Sequence, residues 1–399
     1  MLHIHRLLTT LLLTALLLSA CQPIQPVVIK HSPVSQLDSS TMNQIDTLVK
    51  TVLDKNQVPG AALGIVQGGE LVYAKGFGVS ELGSQTPVTP ESVFFMASIS
   101  KSFTGMAIMQ LVEEGKIDLD TPVTTYLPYF SMADPLAKGI TIRQLVSHTS
   151  GMADYGDWMA DATAPEKRTD DKALEDYVRS FSDGSLLFSP GQGWSYSNSG
   201  FDTLGDVIAK VSGQSYEAYV QEHILTPLGM SESTFLLSDV DSAALITPHT
   251  WDKEGNAVTQ SFYPYLRKHA PSATLFSTVR DMARFAVANM NHGELHGVRI
   301  LSKATYDEMW SPQAASTWAE LFGPQTTNYG FGWWVGTFHD QPIIGNYGAE
   351  AGFQSHLAIF PDQNFAVIVM VNAYDPAGSV LPAYELGNEV AAVLLDIED

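Results

Sequence analysis

Ala97-Ser98-Ile99-Ser100-Lys101-Ser102-Phe103 is the stretch on which the fold and its chemistry turn. Met106, Ile108, Met109, Leu111 and Val112 continue it at the spacing of a buried helix. On a helix Ser98 and Lys101 share one face, about a turn apart. A serine hydroxyl is a poor nucleophile until a neighbouring base takes its proton. A lysine buried among apolar side chains has its pKa lowered and can be that base. The helix N-terminus also favours negative charge developing beside Ser98. Taken alone, the tetrapeptide fits a solvated helix start just as well.

Outward from it, Gly191-Gln192-Gly193-Trp194-Ser195-Tyr196-Ser197-Asn198-Ser199-Gly200 forms a polar, glycine-bounded loop leading into a helix from Phe201 to Val211. A tyrosine near a lysine ammonium has its phenol pKa lowered, which would let Tyr196 relay a proton between Ser98 and a leaving group, although taken alone it reads as an ordinary loop aromatic. Asn198 suits a hydrogen bond to Lys101 or to a substrate amide, and equally a helix N-cap.

The chain ends carry strands. Met42, Ile45, Leu48, Val49, Val52 and Leu53 repeat at helical spacing until Pro59-Gly60, and Ala61–Val66 and Leu71–Gly76 then read as strands joined at Gly68-Gly69. Phe331–Phe338, Phe353–Phe360 and Phe365–Val371 read as three more, the last two flanking a turn at Pro361-Asp362-Gln363-Asn364. A helix from about Val380 to Asp396 closes the chain, and most of 97–310 has helical period. The expected fold is α/β (α+β): an antiparallel sheet of five or more strands from both chain ends, flanked by helices, with a mainly helical insertion. A site is expected in the cleft between the two parts.

With these flanks the segments resemble the serine β-lactamase and penicillin-binding-protein superfamily, with its S-x-x-K and Y-x-N motifs. Gln144-Leu145-Val146-Ser147-His148-Thr149-Ser150-Gly151-Met152 is similar to the L-x-x-H-T-S-G segment of the class C-like branch. Ser189-Pro190-Gly191, Leu225-Thr226-Pro227-Leu228-Gly229-Met230 and Tyr329-Gly330-Phe331-Gly332-Trp333 resemble further segments of that branch, in the same order, over about residues 45 to 395. The branch includes class C β-lactamases, D-alanyl peptidases, D-aminopeptidases and family VIII carboxylesterases. The resemblance implies a β-lactamase/transpeptidase-like fold, with Ser98, Lys101 and Tyr196 as catalytic residues and Asn198 in support.

It also implies a third motif beside the nucleophile, matched by Gly345-Asn346-Tyr347-Gly348-Ala349-Glu350-Ala351-Gly352-Phe353. In that register Asn346 stands where the family has a basic residue. Gly348 keeps the position where backbone and substrate approach closely, and the Ala349 backbone N–H joins that of Ser98 in an oxyanion hole. One such donor is worth about 3 kcal/mol in the transition state. No Lys or Arg follows Lys303, so a substrate carboxylate has no partner here unless Arg267 or Lys268 supplies one from the helical part. Efficient β-lactam or D-Ala carboxypeptidase turnover is therefore not expected, and amine-bearing or neutral substrates are.

The first residues read as export machinery. His3, His5 and Arg6 precede an apolar run from Leu7 to Ala20 that is too short for a membrane helix. Leu18-Ser19-Ala20-Cys21 resembles a lipobox, and Cys21 is the only cysteine. The expected organisation is a lipoprotein signal over 1–21, a proline-bearing tether over 22–40 and the catalytic domain over 41–399. The protein is then exported and held at a membrane through lipid on Cys21. A net charge of −22 disfavours nucleic acid as a partner.

Three signals point elsewhere. His292 and His296 have metal-like spacing, but Gly293 and Gly297 make the segment a turn and no metal site is expected. His148, although a general-base candidate, is expected to hold a loop, and the acidic stretch from Asp154 to Asp183 to be a solvated surface near the cleft mouth, unless it shapes substrate entry. The functional expectation is a cofactor-free serine hydrolase that forms an acyl-enzyme on small ester or amide substrates. Esters come first, D-amino-acid peptides or β-lactams next. The alternative is a non-catalytic lipoprotein that binds cell-wall fragments or a protein partner in the same cleft.

Overall fold

A computed structural model describes residues 37–156, 161, 163, 169–318, 327–375 and 380–397. The signal sequence, Cys21 and nearly all of the tether lie outside them. The last tether positions do not extend: Asp38 caps a helix that begins at Ser39, accepting from the Thr41 N–H. This helix, α1 (Ser39–Asn56), buries Ile45, Val49, Val52 and Leu53 and stops at Gln57, whose φ is 51°.

Eight strands follow in one antiparallel sheet. They are β1 (Gly60–Gln67), β2 (Glu70–Gly78), β3 (Ala314–Ala315), β4 (Asn328–Tyr329), β5 (Trp334–Phe338), β6 (Gln341–Glu350), β7 (Phe353–Phe360) and β8 (Phe365–Val371). Their order is β2-β1-β8-β7-β6-β5-β4-β3, so the two chain ends meet where β1 pairs with β8.

Every residue of β8 is buried, because both faces of the sheet are covered. Val367, Val369 and Val371 pack with α1 and the closing helix α5 (Pro382–Leu394). Ala366, Ile368 and Met370 join the opposite core, with residues of α2 (Ser100–Glu113) and α4 (Val279–Met290). A strand buried on both sides loses polar alternation, which is why Phe-Ala-Val-Ile-Val-Met-Val reads as a continuous apolar run. Full burial of each large aliphatic side chain contributes about 1.5–3 kcal/mol.

The insertion between β2 and β3 carries α2, α3 (Asn198–Ser212) and α4 with shorter turns. His292 precedes a small hairpin, Glu294–Leu295 against Val298–Arg299, and His296 lies in its turn. The expected strand at Phe331 starts only at Trp334. Gly332 has a φ of 81°, and a Cβ there would lie 2.5 Å from the Lys101 carbonyl oxygen. The Gly330–Trp333 segment is therefore a turn pressed against α2, and the glycine permits that approach.

Candidate active site

Ser98 stands on the turn that opens α2, just outside the helix rather than on it. Two contacts fix this turn: the Met96 N–H donates to the Leu275 carbonyl at 2.7 Å, and Ala97 bridges to Thr274. Ala97 has a φ of 47°, a left-handed conformation that costs a side-chain-bearing residue roughly 1–3 kcal/mol. Ser98 is thus presented on a corner that the surrounding structure enforces.

Lys101 lies in the first turn of α2 and is fully buried. Its Nζ is 3.1 Å from Ser98 Oγ, 2.6 Å from Asn198 Oδ1 and 2.8 Å from the Ser272 carbonyl oxygen. Burial lowers its pKa to about 7, against the pull of Asp202, Asp154 and Glu350. A neutral amine has two N–H bonds and one lone pair. The Asn198 and Ser272 oxygens can only accept, so they take both N–H bonds and leave the lone pair for the Ser98 hydroxyl.

Asn198 is the first residue of α3, and Ser197 is its N-cap. Asp154 sets the Asn198 rotamer. It accepts from the backbone N–H of Asn198 at 2.6 Å and of Ser199 at 3.2 Å, and from the Asn198 side-chain amide at 3.0 Å. With its N–H₂ held by a carboxylate, Asn198 must aim its oxygen at Lys101. The start of the acidic stretch is thus part of the site and not merely solvated surface. The sequence hides this because the two partners are 44 residues apart.

Tyr196 lines the cleft together with Ser98, and its ring lies 4.7 Å from Lys101 Nζ. Trp318 stacks on the ring at 4.6 Å, and His148 packs at 4.4 Å. The expected lowering of its phenol pKa is reversed. Burial pushes it well up, the Ser98 hydrogen bond opposes that, and Asp154, Glu350 and Asp202 add to the rise.

His148 brackets this tyrosine. Its carbonyl accepts from the Ser195 N–H at 2.9 Å and its Nδ1 from the Ser197 N–H at 3.1 Å. An accepting Nδ1 places the ring proton on Nε2. Burial and nearby Lys101 hold its pKa well below the ordinary range, so it remains a neutral positioning group.

The third-motif strand, β6, differs from its sequence reading. Asn346 is buried away from the cleft, and its amide donates to Ser102 Oγ and the Gly332 carbonyl, each at 3.0 Å. Gly348 meets protein backbone rather than a substrate: a Cβ there would sit 2.1 Å from the Met96 carbonyl oxygen and 2.4 Å from Ser355 Oγ. Alternation explains both, since a strand sends every second side chain to the same face. Beyond Gly345, β6 pairs with β7 but no longer with β5. On that open edge the Tyr347 N–H is taken by Asn346 Oδ1 at 2.9 Å. The Ala349 N–H, two residues on, faces the same way.

The resulting cleft of about 410 Å³ is lined by Ser98, Tyr196, Asn198, Tyr347, Ala349 and Glu350, with Asp154, His269, Trp318 and Tyr374 among its other walls. His269 was not singled out in the sequence. It pairs through Nδ1 with the buried Asp202 at 2.6 Å, one helical turn beyond Asn198. Neither Arg267 nor Lys268 supplies a cation to this cleft: Arg267 pairs with Asp171 at 2.6 Å and Glu217 at 2.9 Å, and Lys268 with Asp161.

Comparison with known proteins agrees with this arrangement. The Beta-lactamase family model matches residues 45–392. Protein flp of Staphylococcus aureus strain MW2 is 28% identical over 84% of this chain, which spans 64% of that relative. Penicillin-binding protein 4* of Bacillus subtilis is 28% identical over 82% of the chain and 71% of its own length. The octameric penicillin-binding protein homologue from Pyrococcus abyssi superposes with a TM-score of 0.76 at 29% identity, covering 89% of this chain and 77% of that one. D-amino acid amidase from Ochrobactrum anthropi SV3 shares the fold, with a TM-score of 0.73 at 22% identity over 88% of this chain and 99% of its own. A serine corner at the start of a buried helix, an open strand edge beside it and a match over nearly the whole described chain place this protein in the beta-lactamase family, within the serine β-lactamase and penicillin-binding-protein superfamily.

Proposed function

We propose that this chain hydrolyses small esters and amides through an acyl-enzyme on Ser98. The observation that carries this is the hydrogen-bond set of Lys101, which commits both N–H bonds of the neutral amine and leaves its lone pair for Ser98. Ser98 Oγ attacks the carbonyl carbon while its proton passes to Lys101. The N–H groups of Ser98 and Ala349 receive the developing oxyanion. Tyr196, kept protonated by its burial, gives its proton to the leaving group and recovers one from Lys101. Water then attacks the acyl-enzyme, losing its proton along the same relay, and Ser98 is released.

Esters are the first substrate class, because their leaving groups need the least protonation; D-amino-acid peptides and β-lactams follow. Cys21 in its lipobox supports export and lipid anchorage at a membrane, which palmitate labelling of wild type and Cys21→Ser tests. For the reaction itself, incubation with a fluorophosphonate followed by peptide mass spectrometry is decisive. One adduct on the Ser98 peptide, lost in Ser98→Ala, is expected. Labelling elsewhere, or none, returns the protein to a non-catalytic cleft binder.

A further inference from the structure

Given the acylation reading above, we propose that Glu350 is the counter-ion for a substrate ammonium, making amine-bearing acyl compounds the preferred substrates of this cleft. Glu350 follows Ala349, whose N–H is the proposed oxyanion donor, and both residues line the cleft. The Glu350 carboxylate acts electrostatically on both Lys101 and Tyr196. One oxygen accepts from the Ala351 N–H at 2.9 Å, and among the described residues the other has no hydrogen-bond partner. The second carboxylate of the cleft, Asp154, is already committed to three donors of Asn198 and Ser199.

The other walls favour the same ligand. Trp318, Tyr347, Tyr374, Tyr155 and Tyr177 surround the space, and aromatic faces attract cations. Among the described residues no Arg lines the cleft, and Lys101 beneath it is occupied with Ser98, Asn198 and Ser272. A substrate carboxylate would give up its water for no partner and meet Glu350, whereas an ammonium would find an acceptor with a vacant oxygen. Burial raises the Glu350 carboxyl to about 7, with its Ala351 hydrogen bond and Lys101 opposing. Such a group gains its charge at least cost when a cation arrives.

The test uses three matched nitroanilides or nitrophenyl esters: alanyl in both enantiomers, propionyl and succinyl. They carry an amine, no charge and a carboxylate. In the wild type the better alanyl enantiomer should exceed succinyl in kcat/KM by at least about tenfold, or 1.4 kcal/mol. Glu350→Gln should reduce the alanyl-to-propionyl ratio by about tenfold, while Glu254→Gln on an exposed turn should leave it unchanged. Protection of Ser98 from the fluorophosphonate by alaninamide or succinamate reads binding without turnover, and should show the same order and the same loss. Equal ratios in wild type and Glu350→Gln, or succinyl as good as alanyl, overturn the assignment even if Ser98 is labelled. Absence of Ser98 labelling would instead remove the acylation reading on which it rests.

Discussion

The two walls of the cleft are built on different principles. On the helical wall, side chains from distant segments hold one another: Lys101 by Ser98, Asn198 and Ser272, Asn198 by Asp154, and the Tyr196 loop by His148. On the strand wall, β6 contributes backbone. Its alternation sends Asn346 and Gly348 toward α2 and the Met96 segment, while Ala349 and Glu350, at the strand's end, line the cleft. In the proposed reaction, protons move on the first wall, and charge is received and sorted on the second. Damage to the helical wall should therefore fall on kcat, and damage to the strand wall on geometry, stability and substrate choice.

The largest effects belong to the proton path. Ser98→Ala should abolish ester turnover, and Lys101→Ala and Tyr196→Phe should each lower kcat by about 10² or more, the size of a lost acid–base group. Steady-state kinetics on a nitrophenyl ester check this. A Tyr196→Phe enzyme with wild-type kcat would remove the phenol from the relay.

Next comes a shift in pH dependence. Lys101 must be neutral to accept the Ser98 proton, so kcat/KM should rise with pH through about 7 and then level. Asp154 favours the protonated lysine, so Asp154→Asn should lower the Lys101 pKa and move this limb to lower pH. A limb that moves upward would mean that the lost Asn198 support outweighs the lost charge.

On the strand wall, Gly348→Ala forces a methyl against the Met96 carbonyl and Ser355. Overpacking of this kind costs about 1–3 kcal/mol. Because the displaced segment carries Ser98, thermal melting and kcat should fall together. Melting unchanged with full activity would show that β6 can retreat without cost.

The smallest effect is Asn346→Ala, which deprives Ser102 and the Gly332 carbonyl of a buried donor, at about 1–3 kcal/mol. Substrate charge preference should not change, since this side chain does not reach the cleft. A changed alanyl-to-succinyl ratio would reopen the sequence-based placement of Asn346 as the substitute for a substrate-binding cation. For the same reason Asn346→Lys, which that placement expects to narrow the charge gap, would bury an ammonium between Ser102 and α2.

The same contrast explains what could be read from the sequence. Ser98 and Lys101 sit three residues apart, and the apolar face of α2 follows at once, so local spacing was enough to bring them together. The paired β1 and β8 were legible as apolar runs at the two chain ends. Asp154 and the His269–Asp202 pair were not, because nothing local marks an aspartate that reaches a helix start across a long insertion. The third-motif segment lies on β6, yet the facing of Asn346 depends on strand pairing that only the folded sheet defines. The Tyr196 phenol was misjudged because burial, a property of the whole cleft, outweighs the neighbouring amine.

The claim that a buried, neutral Lys101 activates Ser98 is tested most directly by the rate of fluorophosphonate labelling of Ser98 as a function of pH. This reads the acylation step without substrate release. The expected profile for the wild type climbs tenfold per pH unit below about 7 and is level above it, and Lys101→Ala loses the dependence together with at least about 10² of the rate. A flat wild-type profile from mildly acidic to alkaline pH, or a limb near the ordinary lysine value of about 10.4, would contradict it.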